Sequence, residues 1–325
     1  MLLRSRADLR DDGFTDREMQ ARVAAGVLVR VRRGHYVPAE SWRMLWPEGR
    51  HLLAVLAVHR DATTPPVFSH VSAAVIHGFP LYRHRPSRVH VGVPNPAHAG
   101  SVQDVLRHRV DLGDDDVVEV GGLRVTSGIR TAFDVSRTLR RDAAQSIADA
   151  SLRRHAVTRN RQSAELAAQW REDLERRLVD MRGAPGTRRA SEVIAFADGR
   201  AQLPGESVSR LRLHRLGFRE IDLQVPVAAP GGGEYFVDFG LDEIHAFGEF
   251  DGVGKYVDPA LRGDRSIEDA VLDEKRREDW VRGTTGRRLL RWGDEHIVTV
   301  DAFAERLAAF GVPLGAGRRL DRSRL

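Results

Sequence analysis

At 325 residues, with 42% hydrophobic and 30% charged positions, the chain is too long for one ordinary domain and has the make-up of a folded protein. It has no cysteine, which excludes disulfides, zinc–thiolate sites and iron–sulfur clusters. Its formal net charge is +5, and no apolar run approaches the roughly 20 residues of a membrane span.

The first residues carry Arg4, Arg6, Asp8 and Arg10, which interrupt any apolar signal core. A cytoplasmic protein with no membrane partner is therefore expected. Arginine-rich patches on a modest net charge suit nucleic acid better than a membrane surface.

From Met1 to Pro38 the pattern predicts helix, turn, helix and a short two-stranded unit. Thr15 and Glu18 have capping-box spacing, and Met19, Val23 and Ala24 follow at helical period. Gly26 ends that helix. Val27 to Val31 alternates, Arg32 to His35 reads as a hairpin turn, and Tyr36-Val37 follows. This order resembles a winged helix-turn-helix, in which a recognition helix enters the major groove and a wing touches phosphates. Arg17 and Arg22 fall on the helix. Arg30, Arg32, Arg33 and His35 fall on the wing. All six are candidate contacts to double-stranded DNA, the wing residues to its backbone.

The middle of the chain predicts an α+β unit. Helices are expected over 51–59, 69–78 and 129–139, and strands over 89–94, 106–110, 116–120 and 123–125. Ser69 reads as a helix cap rather than a nucleophile. His70 and His77 read as packing or surface residues, since two histidines alone do not make a metal site. From 143 to 179 the pattern is helical and heavily charged, and Gly183 to Gly186 breaks it before a short helix from Arg188 to Phe196.

From Gly205 the order becomes helix, strand, strand, strand, helix, strand. Glu206 opens the first helix, where an acid is favoured. Asp238 lies in the second strand, and Glu249 and Asp251 share one face of the third. Only two of the 51 basic residues are lysines, Lys255 and Lys275, and both lie near these acids. Acids set among Phe236, Phe239, Phe247 and Phe250 are expected to be partly buried, which is costly without a cation.

Two family resemblances attach to these residues. Thr15, Arg17, Val23, Gly26, Leu28, Arg30 to Gly34 and Tyr36 resemble the N-terminal region of AbiEi-type abortive-infection antitoxins. Six pieces resemble a very-short-patch-repair-like endonuclease domain of the PD-(D/E)xK superfamily. They are Gly205 to Ser207, Val237 to Phe239, Gly248 to Gly252, Lys255-Tyr256, Glu274 to Glu278 and Arg291-Trp292.

The resemblances imply an α+β and α/β multidomain chain. It would comprise a winged helix over 1–40, an antitoxin-like α+β domain over 41–200, and a restriction-endonuclease-like αβββαβ core over 201–325. They imply a Mg²⁺ or Mn²⁺ ion held by Asp238, Glu249 and Glu206, with Asp251 as a further ligand, for hydrolysis of DNA phosphodiesters in defence or repair. The superfamily lysine stands two residues after the acid, where this chain has Asp251. Three readings stay open. Lys255 reaches in from the strand end, Lys275 reaches in from the next helix, or the site is degenerate and merely binds DNA. The last would make the protein a non-catalytic antitoxin or repressor, with a cognate toxin or another protein as partner.

Overall fold

The computed structural model describes residues 2–94, 103–252 and 267–313. The chain forms two compact units. Met1–Ser151 and Trp170–Ala195 make the first, and Leu152–Gln169 and Phe196–Leu325 the second. Mixed helices and sheets build both. No helix among the described residues is long and apolar enough to cross a membrane.

The first unit opens with β1 (Arg4–Ser5), α1 (Arg6–Asp11), α2 (Asp16–Ala24), β2 (Leu28–Arg32) and β3 (His35–Pro38), the strands ordered β1-β3-β2 and antiparallel. Reciprocal capping boxes start both helices. Ser5 pairs with Asp8, and Thr15 with Glu18. So small an element cannot bury a core alone. Leu3 and Val37 pack instead with Leu53 and Ala57 of α4 (Pro47–Asp61), so no boundary falls at residue 40.

Between β3 and α4 lies α3 (Ala39–Met44). The strands β4 (Val67–Phe68), β5 (Val89–Val93), β6 (Val105–Arg109), β7 (Val117–Val120) and β8 (Leu123–Thr126) form a second sheet, ordered β6-β5-β4-β8-β7. Its apolar face closes on α4 and α5 (His70–Ile76) through Val55, Phe68, Ala73, Val91 and Val125. Helix α6 (Gly128–Thr138) follows, with Ser127 as its cap.

The charged run whose pattern is helical from 143 to 179 is interrupted by a hairpin. After α7 (Arg141–Ala156), β9 (Val157–Thr158) and β10 (Arg161–Gln162) make a hairpin, and α8 (Ala164–Asp180) resumes the helical pattern. Arg159 and Asn160 both take positive φ, 48° and 62°, as a two-residue hairpin turn requires. Helix α9 (Thr187–Phe196) follows.

The second unit contains α10 (Pro204–Leu216), β11 (Ile221–Ala228), β12 (Glu234–Leu241), β13 (Ala246–Asp251), α11 (Ile267–Thr285), β14 (Arg288–Gly293) and α12 (Val300–Ala309). Its sheet is ordered β11-β12-β13-β14. The first three strands form an antiparallel meander, and β14 runs parallel to β13 after the α11 crossover. Gly217, at φ 104°, takes the left-handed position that ends α10. Val281 of α11 packs on Val227, Val237 and Phe247. Trp292 packs on Phe239 and Phe303, and its indole N–H donates to Ser209 Oγ on α10 (2.8 Å).

Candidate functional site

Helix α10 and the strands β12 and β13 of the second unit carry the acids singled out by sequence. Glu206, buried in the first turn of α10, accepts the backbone N–H of Gln202 (2.8 Å). Asp238 on β12 accepts the backbone N–H of Phe250 (2.9 Å). The amide of Gln224 stands 3.4 Å from both Glu206 Oε2 and Asp238 Oδ1. Gln224 is buried within β11 at φ 51°, a left-handed conformation that a non-glycine residue adopts at a cost of about 1–3 kcal/mol. That backbone outlier links two of the three acids.

Glu249 is held differently. Its Oε1 pairs with Arg277 (2.8 Å) and its Oε2 with Arg291 (2.9 Å). Arg291 also meets Glu274 (2.6 Å) and Glu278 (3.5 Å), and Arg277 meets Glu274 (3.2 Å). Burial raises the Glu249 carboxyl above its usual range, and the two guanidiniums only partly pull it back. A Mg²⁺ ion draws on the negative charge of the carboxylates that hold it. With both oxygens paired to arginines, Glu249 has its charge already compensated and does not fit that role.

The remaining predicted residues of this site are dispersed. Asp251 ends β13, half-buried. Lys275 is exposed on α11, and the helix sends Arg277, not the lysine, to Glu249. Lys255 lies outside the described residues. The signal for Arg277 was present in the sequence. Glu274, Arg277 and Glu278 are three and four apart and share a helix face that Lys275 does not.

In the first unit, Arg17, Arg30 and Arg33 are exposed and form no ion pair among the described residues. Arg22 is exposed and lies over the ring of Phe14 (4.5 Å). Arg32 and His35 depart from the expectation that all four wing residues face a DNA backbone. Arg32 pairs with Asp61 (2.6 Å) and with Asp104, and buried His35 meets Asp61 (2.7 Å). Both spend their polar groups on tying the wing to α4 and the loop before β6.

A histidine cluster in this unit was missed. His70 starts α5, His90 lies on β5 and His108 on β6. The parallel register sets Gly92 opposite His108, so His90 and His108 share a face. His108 Nε2 is 3.0 Å from His90 Nδ1, and the rings of His70 and His108 stack 3.6 Å apart at 17°. Ser69 stands at the N-cap of α5, but its side chain makes no capping bond. Its hydroxyl meets His70 Nδ1 instead (3.0 Å), and His70 itself sits at φ 51°. Burial above all holds the His70 ring well below the ordinary imidazole value, His90 at about 3 and His108 at about 4, so all three rings are neutral near pH 7. His77, by contrast, is a packing residue bonded to the Thr126 carbonyl (2.7 Å).

No protein-family model matches the chain. It is 28% identical over 314 residues to "Uncharacterized protein MT2308" and "Uncharacterized protein Rv2248" of two Mycobacterium tuberculosis strains, covering 96% of this chain and 99% of each relative. The crystal structure of the Rv2827c protein from Mycobacterium tuberculosis is 17% identical, with a TM-score of 0.36 over 71% of this chain and 84% of that one.

Proposed function

We propose that the protein is a DNA-binding regulator of the antitoxin or repressor kind, whose C-terminal unit is an endonuclease-like αβββαβ fold that holds DNA without cutting it. The observation that carries this reading is the capture of Glu249 by Arg277 and Arg291. Guanidiniums stand where a hydrolytic ion would need that carboxylate. At the other end of the chain, two capped helices and a β1-β3-β2 sheet support a winged-helix reading. The exposed Arg17, Arg30 and Arg33 supply charge for a DNA backbone.

Fluorescence anisotropy with labelled duplex DNA tests the binding half. Affinity should fall steeply with salt. Replacing Arg17, Arg30 and Arg33 together with alanine should weaken binding about 10-fold or more and flatten the salt slope by about 2–3. An unchanged slope removes the N-terminal region from the interface.

Incubation of supercoiled plasmid with the protein and Mg²⁺ or Mn²⁺ tests the other half. No nicking is expected. Metal-dependent nicking that Asp238→Asn or Glu206→Gln abolishes would overturn the non-cleaving reading in favour of a metal-dependent endonuclease. The strained Gln224 that links those two acids is the one feature that favours this alternative.

A further inference from the structure

The geometry points to His70, His90 and His108 as a site for one divalent transition-metal ion, Zn²⁺ foremost. Among the described residues this is the one group of three or more histidines and acids whose ligand atoms all lie within 4.8 Å of one another. Tetrahedral ligation at Zn–N distances near 2.0–2.1 Å places nitrogens about 3.3–3.4 Å apart. The 3.0 Å between His90 Nδ1 and His108 Nε2 needs only a small opening to reach that.

A second observation is independent of the ring spacing. Asp134 on α6 is buried, and its Oδ2 has no hydrogen-bond partner although it lies 3.9 Å from His70 Nδ1. A carboxylate behind an imidazole is the usual outer partner of a metal-bound histidine. It fixes the ring's tautomer and makes the other nitrogen a better donor. Ser69 Oγ reinforces the same edge.

The donor set chooses the ion. Three imidazoles suit Zn²⁺, Ni²⁺ or Cu²⁺ rather than Mg²⁺ or Ca²⁺, which prefer oxygen. His70 is buried, whereas His90 and His108 are half-buried, so a fourth position opens on their side. Three protein nitrogens plus one open position is the pattern of a zinc ion that keeps a water. Stacked rings direct their lone pairs side by side, so the His108 ring turns out of its stack on His70 when the ion binds.

Calorimetric titration of Zn²⁺ into chelator-treated full-length protein tests the site. Wild type should bind about one equivalent that His90→Ala and His108→Ala lose. Asp134→Asn should weaken binding about 10-fold. His245→Ala, a change at an exposed residue of the other unit, should alter nothing. Equal affinity in wild type and His108→Ala overturns the inference. Should both alanine variants fail to fold by circular dichroism, Co²⁺ added to wild type decides. One equivalent should give intense tetrahedral visible bands, and a weak octahedral spectrum overturns the site.

Discussion

Arg130→Ala is expected to destabilise the first unit by about 3–5 kcal/mol, because it strands a buried acid in the core. Arg130 is buried at the start of α6. Its Nη1 bonds Asp116 Oδ2 (2.8 Å) and the Asp111 carbonyl (2.9 Å), and its Nε bonds Asp134 Oδ1 (3.1 Å). Asp116 keeps Arg177 (2.8 Å) in the variant, so Asp134 is the group left exposed to its own burial. Burial already raises the Asp134 carboxyl to about 6, against an ordinary value near 3.8.

A raised carboxyl contributes stability below the unfolded value and loses it as pH rises through the folded one. Losing Arg130 raises that carboxyl further. The penalty should therefore be larger at pH 8 than at pH 5, where a protonated Asp134 needs no counter-charge. Urea unfolding at the two pH values checks both size and sign. A loss under about 1 kcal/mol, or one that grows on acidification, refutes the assignment.

Gly248→Ala is expected to cost about 1–3 kcal/mol or more through overpacking of the second unit. A Cβ there would overlap Cη2 of Trp292 and lie 2.8 Å from Cζ3. The indole cannot easily retreat, since it is fully buried, bonded to Ser209 and wedged against Phe239 and Phe303. Trp292→Phe opens space at that point. Combining it with Gly248→Ala should lose less stability than the sum of the single changes. Strict additivity in chemical unfolding would show that the two side chains do not meet. Gly205 has the same explanation, because its Cβ would overlap the Phe250 ring. Both glycines belong to the motif pieces visible in the sequence, and packing alone accounts for them.

Much of the element order was legible. Period and punctuation located α2, α10 and the four strands of the second unit, because a capping box, a left-handed glycine and alternating apolar residues act locally. The β9–β10 hairpin was not legible. Its turn is Arg159-Asn160 without glycine, inside a run whose charges suit a helix.

The strand acids at 238 and 249 were readable as partly buried carboxylates and Glu206 as a first-turn acid, but their partners were not. Gln224 reaches two of them through an unusual backbone angle, and Arg291 meets Glu249 through strand register. Arg32 and His35 looked like wing charges because Asp61 and Asp104 are distant in sequence. The histidines at 70, 90 and 108 carry no motif. Only sheet pairing and the unusual start of α5 bring them together.

The two units share the polypeptide in alternation, with 1–151 and 170–195 in one, 152–169 and 196–325 in the other. No single backbone scission can therefore free either of them whole. A fragment ending at residue 151 lacks Trp170 and Leu174, both fully buried in the intact first unit. During synthesis, that unit must wait for residue 195 to leave the ribosome before its interior can close, by which time a piece of its neighbour has already emerged.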